Sequence, residues 1–221
     1  MNSLHVMSDS NPDTAILVFA RAPVAGATKS RLIPLLGAEG AAMLHQRMLL
    51  QSLAVATTAV PGMVGLWCSP DDKHPLLQAA ASRHAASLHV QQGADLGERM
   101  AHAFAQALRQ WRYVIIIGTD CPVLTAAQLQ AAADALREGH DAVFAPAEDG
   151  GYALVGLARE APQLFAGIVW GGSDVMADTR MRLREGNLRW RELATLWDVD
   201  RPDDYRRLIR SGLLDALPDA I

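Results

Sequence analysis

The residues best suited to chemistry sit in a few short polar segments. The first runs from Ala20 to Leu32, a loop that carries Arg21, Lys29 and Arg31 around Gly26. Cations on flexible backbone just ahead of a helix start suit phosphate, because free N–H groups and positive side chains converge on its oxygens. Each well-placed cation would contribute about 1.5–3 kcal/mol, as hydrogen bonds to charged groups do. The loop is not a P-loop, since Thr28 stands where that motif places Gly before the lysine. The bland alternative is a solvated loop whose charges keep the edge soluble.

The second segment is Gly118-Thr119-Asp120-Cys121-Pro122, which ends the apolar run Tyr113–Ile117. Packing does not explain an aspartate at the carboxyl end of a buried strand, where α/β proteins bind ligands. Mg²⁺ and Mn²⁺ prefer carboxylate and phosphate oxygens together, so Asp120 suits a divalent metal held against a diphosphate. A turn or capping role is the alternative, but Thr125 already serves the next helix. Glu148-Asp149-Gly150-Gly151-Tyr152 reads either as a tight turn or as a place where a ligand approaches bare backbone. In Trp197-Asp198-Val199-Asp200, an extended chain projects Asp198 and Asp200 to one face, where either could join Asp120 at a cation. Asp203 and Asp204, after Pro202, suit the first turn of a final helix. Gln91 to Met100, which includes Gly93, Asp95 and Gly97, is a donor- or base-reading loop, or an ordinary strand-to-helix connection. Arg180, Arg182, Arg184, Arg189 and Arg191 read as a solvated face, or as an acceptor-phosphate site. The seven histidines show no ligand spacing and read as surface or core residues.

These segments need a scaffold. Ala15–Phe19 and Tyr113–Ile117 are continuous apolar runs, as in strands covered on both faces. Further strands are expected at Met63–Cys68, Leu88–Gln91, Ala142–Pro146 and Tyr152–Leu157. Thr125-Ala126-Ala127-Gln128 forms a capping box, and Leu129, Ala132, Ala133 and Leu136 line one face of the helix that it opens, up to Gly139. A second stripe runs through Met100, Phe104, Ala107, Leu108 and Trp111, and Ala38–Thr58 reads as a buried helix. Strands and helices alternate except at Val143–Leu157, where two successive strands predict an antiparallel excursion. The expected fold is a three-layer α/β domain, a mostly parallel sheet with helices on both faces, over residues 14–221, after a disordered tail from Met1 to Asp13.

Composition narrows the function. A net charge of −4 gives no general attraction to nucleic acid or anionic membrane. No stretch reaches the roughly 18 apolar residues of a membrane span. Cys68 and Cys121 form neither a disulfide framework nor a zinc site, which suits a reducing cytoplasm. No Ser-His-Asp elbow or Cys-His pair is evident.

Taken in order, these motifs resemble a bacterial family of glycosyltransferase-A-like transferases, some of whose members are linked to arsenosugar biosynthesis. The resemblance covers Ala15 to Tyr205. It rests on Pro23-x-x-Gly26-x-x-Lys29-Ser30-Arg31-Leu32, Gly93-x-Asp95-Leu96-Gly97-x-Arg99-Met100, Gly118–Pro122, Glu148–Tyr152 with Leu154–Leu157, Trp170-Gly171-x-Ser173 and Asp198-Val199-Asp200. It is more distantly similar to cofactor guanylyltransferases. The resemblance implies a nucleotide-diphospho-sugar transferase fold, with Arg21, Gly26, Lys29, Arg31, Gly93, Asp95 and Gly97 toward the nucleotide. It also implies a divalent metal (Mg or Mn) on Asp120, shared with Asp200, and the spacing reading adds Asp198 as a further candidate ligand. Asp149 is the candidate base, and Gly150, Gly151, Trp170 and Ser173 face the acceptor. Two departures stand out: Thr119 and Cys121 flank a single acid instead of an Asp-x-Asp pair, and no Gly-x-Gly loop is present. The expected reaction is glycosyl transfer from a nucleoside-diphosphate sugar to a small acceptor. Nucleotidyl transfer with release of pyrophosphate is the alternative, and a non-catalytic nucleotide-binding domain is the second.

Overall fold

A computed structural model describes residues 13–214. The tail expected at Met1–Asp13 lies outside the described residues except for Asp13, whose carboxylate pairs with Arg137 at 2.6 Å. Seven strands form one sheet: β1 (Thr14–Arg21), β2 (Val64–Ser69), β3 (Ser87–Val90), β4 (Tyr113–Ile117), β5 (Ala142–Pro146), β6 (Tyr152–Leu157) and β7 (Trp190–Glu192). Their order is β3-β2-β1-β4-β6-β5-β7. Every pairing is parallel except those of β6, which runs antiparallel to both β4 and β5. That is the excursion expected from two strands in immediate succession.

Helices cover both faces. α1 (Ile33–Ala59), α2 (Pro75–Arg83) and α4 (Ala126–Arg137) pack on one side, around Ile16, Val18, Leu66, Ile115 and Ile117. α3 (Leu96–Ala107) and α5 (Val175–Glu185) pack on the other, around Leu17, Phe19, Trp67 and Phe144. The continuous apolar runs thus fill two cores, successive residues of each strand turning to opposite sides. A third cluster joins α6 (Pro202–Ser211) to the start of α1 through Leu32, Leu44, Trp197, Val199 and Leu208. It fixes the chain that carries Asp198 and Asp200.

Two glycines set helix geometry. Gly37 interrupts α1 with φ 70° and ψ 169°, so the long straight part begins near Ala38, as the sequence suggests. Gly156 lies where α4 crosses the sheet, and a Cβ there would come within 2.7 Å of Val143 and 3.1 Å of Ile115. The Thr125 capping box is present, its hydroxyl accepting from Gln128 N.

Strands β1, β2 and β3 run out to one side of β1, and the chain then crosses to β4 on its other side. The reversal lies between β1 and β4, the place where open α/β sheets form a ligand crevice. Val18 pairs with Ile117, so Arg21 and Asp120 emerge three residues further on at the same level of that crevice.

Candidate active site

The loop after β1 is a tight turn built on Val24, whose carbonyl accepts from Ala27 N, Thr28 N and the Thr28 hydroxyl. Gly26 supplies the positive φ of 81° inside it. Lys29 then takes a left-handed conformation at φ 48°, uncommon for a side-chain-bearing residue, and this points its ammonium inward. The Nζ donates to Val199 O at 2.6 Å and to Asp200 Oδ1 at 3.0 Å. It also stands 2.6 Å from Asp120 Oδ1. Burial alone would push this ammonium's pKa down, but Asp120 and Asp200 hold it above its ordinary value. Burial would raise the Asp120 carboxyl in turn, yet Lys29 holds it below the usual range. Lys29 is therefore a charged strut joining the β1 loop, the end of β4 and the C-terminal segment.

That segment is extended. Leu196 N donates to Pro146 O and Val199 N to Asp120 O at 2.9 Å, so it lies against the ends of β5 and β4. Trp197 and Val199 turn into the core, and Asp198 and Asp200 turn outward on one face. Arg31 reaches Asp200 Oδ2 at 3.3 Å. Asp198 stands near two other acids. Burial, then the charges of Asp149 and Asp200, push its carboxyl up to about 6.

Two cavities share a wall. One, of about 400 Å³, is lined by Arg21, Thr28, Lys29, Arg31 and His45, with Asp120 and Asp200 on its far side. The other, of about 330 Å³, is lined by Asp120, Asp149, Asp198 and Asp200 above an apolar floor that includes Phe19, Met100 and Trp170. The structure thus brings Arg21, Lys29, Arg31, Asp120, Asp149, Asp198, Asp200, Gly151 and Trp170 to one place. Gly150 and Ser173 stand behind it. A Cβ on Gly150, at φ 93°, would overlap the Ser173 carbonyl oxygen, and Gly150 O accepts from Met176 N at 2.8 Å. The two loops interlock through that glycine.

Gly93, Asp95 and Gly97 line neither cavity. Asp95 caps α3 by accepting from Glu98 N at 2.9 Å, and Gly93 O accepts from Arg99 Nε at 3.1 Å. Gly97 lets α3 approach the Trp170 loop, where a Cβ would lie 2.5 Å from Phe165 O. The late arginines also lie elsewhere: Arg180 forms a fork with Glu192, Arg191 pairs with Glu138, and Arg184 lies over Trp190.

Read from the sequence, His45 has only a surface or core place, like the other histidines. It is buried, and the Arg21 carbonyl accepts from its Nε2 at 3.0 Å, which leaves Nδ1 as an unpartnered acceptor beside the cationic cavity. Burial pushes its pKa down, toward the neutral ring. A polar residue among Ala41, Leu44, Met48 and Leu49 on one helix face was the available signal. Cys121, next to Asp120, is buried, and burial pushes its thiol up to about 11, away from the reactive thiolate.

A hard divalent cation is compatible with this donor set in one respect: four carboxylates line a single cavity. Among the described residues, no group of three or more His, Cys, Asp or Glu side chains is close enough to hold a metal by itself. A cation here would take one or two protein carboxylates and complete its shell with water and substrate phosphate, the usual habit of Mg²⁺.

Comparison with known proteins agrees with the fold. The structure is similar to that of a protein from Desulfovibrio desulfuricans G20, provisionally described as a nucleotide-diphospho-sugar transferase. Identity is 30%, with 93% of this chain and 90% of that chain covered and a TM-score of 0.81. A cytidylyltransferase from Leptospira borgpetersenii shares the fold at 13% identity, covering 90% of this chain and 87% of that one, with a TM-score of 0.58. Glucosyl-3-phosphoglycerate synthase from Mycobacterium tuberculosis, solved with Mn²⁺ and UDP, matches at 13% identity over 93% and 82% of the two chains, with a TM-score of 0.52. No curated protein matches significantly. Residues 52–172, more than half of the chain, match the family described as "Uncharacterized protein conserved in bacteria (DUF2064)", and the protein belongs to that family.

Proposed function

We propose that the protein is an enzyme that transfers a group from a nucleotide-activated donor, with glycosyl transfer from a nucleoside-diphosphate sugar to a small acceptor as its reaction. One observation carries this: a cationic cavity and an acidic, apolar-floored cavity meet at Asp120 and Asp200, on the switch point of the sheet. A donor lying across that wall has its diphosphate against Arg21 and Arg31 and its transferable group toward Asp149 and Trp170. The Mn²⁺ and UDP of the mycobacterial synthase, and the description of the Desulfovibrio protein, support the same reading.

In this reading Arg21 and Arg31 bind the phosphates, and Lys29 holds Asp120 and Asp200 in place while lending positive charge to the departing diphosphate. A divalent cation held by one or two of Asp120, Asp198 and Asp200 would add neutralisation of that leaving group. Asp149, whose Oδ1 accepts from Gly151 N at 2.9 Å, would accept the proton of an acceptor hydroxyl. Gly150 and Ser173 keep that loop against α5.

The test is product analysis. Purified protein is incubated with nucleotide sugars or nucleoside triphosphates, Mg²⁺ or Mn²⁺, and small alcohols. Release of a nucleoside diphosphate from one sugar donor is the expected result. Pyrophosphate release from a triphosphate would instead establish nucleotidyl transfer. Neither product from folded protein, with nucleotide binding retained in Asp120→Ala, would leave a non-catalytic binding domain.

A further inference from the structure

We infer that the acidic cavity selects an acceptor with an apolar body and a neutral or positively charged head, and excludes phosphorylated or carboxylated acceptors; this rests on the donor placement proposed above. With the phosphates on the Arg21 and Arg31 side of the shared wall, the second cavity is the space left for the acceptor. Its floor is made by Phe19, Met100, Leu154, Val155, Trp170 and Val175. Its charged lining residues are all acids: Asp120, Asp149, Asp198 and Asp200, with no Lys, Arg or His among them. At about 330 Å³ it is in the range of a small-molecule site.

The surroundings offer an anion little. Arg207, next to the Asp149 loop, is committed to Glu148 at 2.7 and 3.1 Å. Lys29 is spent on Asp120, Asp200 and Val199, and Arg31 reaches Asp200 from the cationic side. The amino end of α5 borders the cavity, but Met176 N is taken by Gly150 O, and Asp174 and Asp178 stand at that end. A second cation site for an acceptor phosphate, the alternative raised by the late arginines, is therefore absent from the residues that line this cavity. An apolar ring or chain gains instead from leaving water, at about 25 cal/mol per Å² buried. In the metal-free protein a carboxylate or phosphate would meet like charges in a partly desolvated space, and with a cation on Asp120 or Asp200 it would still face Asp149 and Asp198. Leu96, half-exposed at the mouth, extends the apolar surface outward.

Three probes share one body and differ in charge: 4-methylbenzyl alcohol, 4-(aminomethyl)benzyl alcohol and 4-(hydroxymethyl)benzoate. Their binding to the full chain in chelator is measured by ligand-observed NMR, with nucleoside-diphosphate release from nucleotide sugars in Mg²⁺ or Mn²⁺ followed separately. The neutral and cationic alcohols are expected to bind at least tenfold more tightly than the benzoate. The double substitution Asp149→Asn, Asp198→Asn should narrow that gap, and Trp170→Ala should weaken all three probes. A benzoate that binds as well as the alcohols, or no binding by any probe, overturns the inference even if donor turnover is found. Selective binding of the alcohols without turnover of any donor would instead count against the transferase reading and leave the cavity's selectivity standing.

Discussion

The Nζ of Lys29 stands 2.6 Å from Oδ1 of Asp120, and this pair closes the crevice between β1 and β4 from behind. Lys29 is almost fully buried, with 5% of its side chain exposed, while Asp120 keeps 48% exposed and lines both cavities. One buried cation thus positions a carboxylate that remains available for chemistry.

Lys29→Met removes that cation and leaves Asp120 and Asp200 facing each other. Breaking a fully buried pair costs about 3–5 kcal/mol, and the half-open carboxylates reduce this to about 1–3 kcal/mol. Urea denaturation should show that loss, and adding Asp120→Asn should restore part of it. A Lys29→Met protein as stable as wild type would mean that the strut contributes nothing to stability.

Asp198 predicts a pH dependence of stability. Its folded pKa of about 6 lies above the ordinary 3.8, so the folded state holds this proton more tightly than the unfolded chain does. The associated stability is fully present below about pH 3.8 and is lost as pH rises through 6. Asp198→Asn cannot ionise, so it should raise the Tm of metal-free protein at pH 7.5 and leave it nearly unchanged at pH 4. An equal shift at both pH values would contradict the crowding of Asp149, Asp198 and Asp200.

Gly150→Ala should be damaging out of proportion to its size. The new methyl would overlap the Ser173 carbonyl, at a φ of 93° that alanine resists. A cost of about 2–4 kcal/mol follows from strain together with a backbone clash. Gly151→Ala, whose nearest neighbour would be Asp149 Oδ1 at 3.3 Å, should cost far less. Thermal melts of the two variants side by side test this.

Much of the fold was legible because β1, β2, β4, β5 and β6 are apolar runs buried on both faces. Such runs need no partner to be recognised. β7 escaped notice because Trp190-Arg191-Glu192 is short and polar, and exists as a strand only through its edge pairing with β5. α5 was hidden because its buried residues Val175, Met176, Thr179 and Leu183 are diluted by Asp and Arg. Within the site, the alternation Trp197-Asp198-Val199-Asp200 gave the outward face of both acids. The contact of Lys29 with Asp200 spans 171 residues and was not readable locally. Sequence suggested a cation between Asp120 and Asp200, and in the folded chain the Lys29 ammonium already lies there. Gly93, Asp95 and Gly97 matched a ligand loop by pattern, but what the structure displays is a helix cap and a close approach of α3.

The most direct measurement is the thermal stability of wild type and Asp120→Asn with a panel of nucleotide sugars and triphosphates, in Mg²⁺, Mn²⁺ or chelator. A donor at 100 times its Kd adds about 2.7 kcal/mol, or a Tm rise of roughly 5–11 °C at this chain length. The proposed donor site predicts such a rise with one nucleotide sugar in wild type, dependent on the metal and lost in Asp120→Asn. The same rise in Asp120→Asn or in chelator, or no rise with any member of the panel, would contradict it.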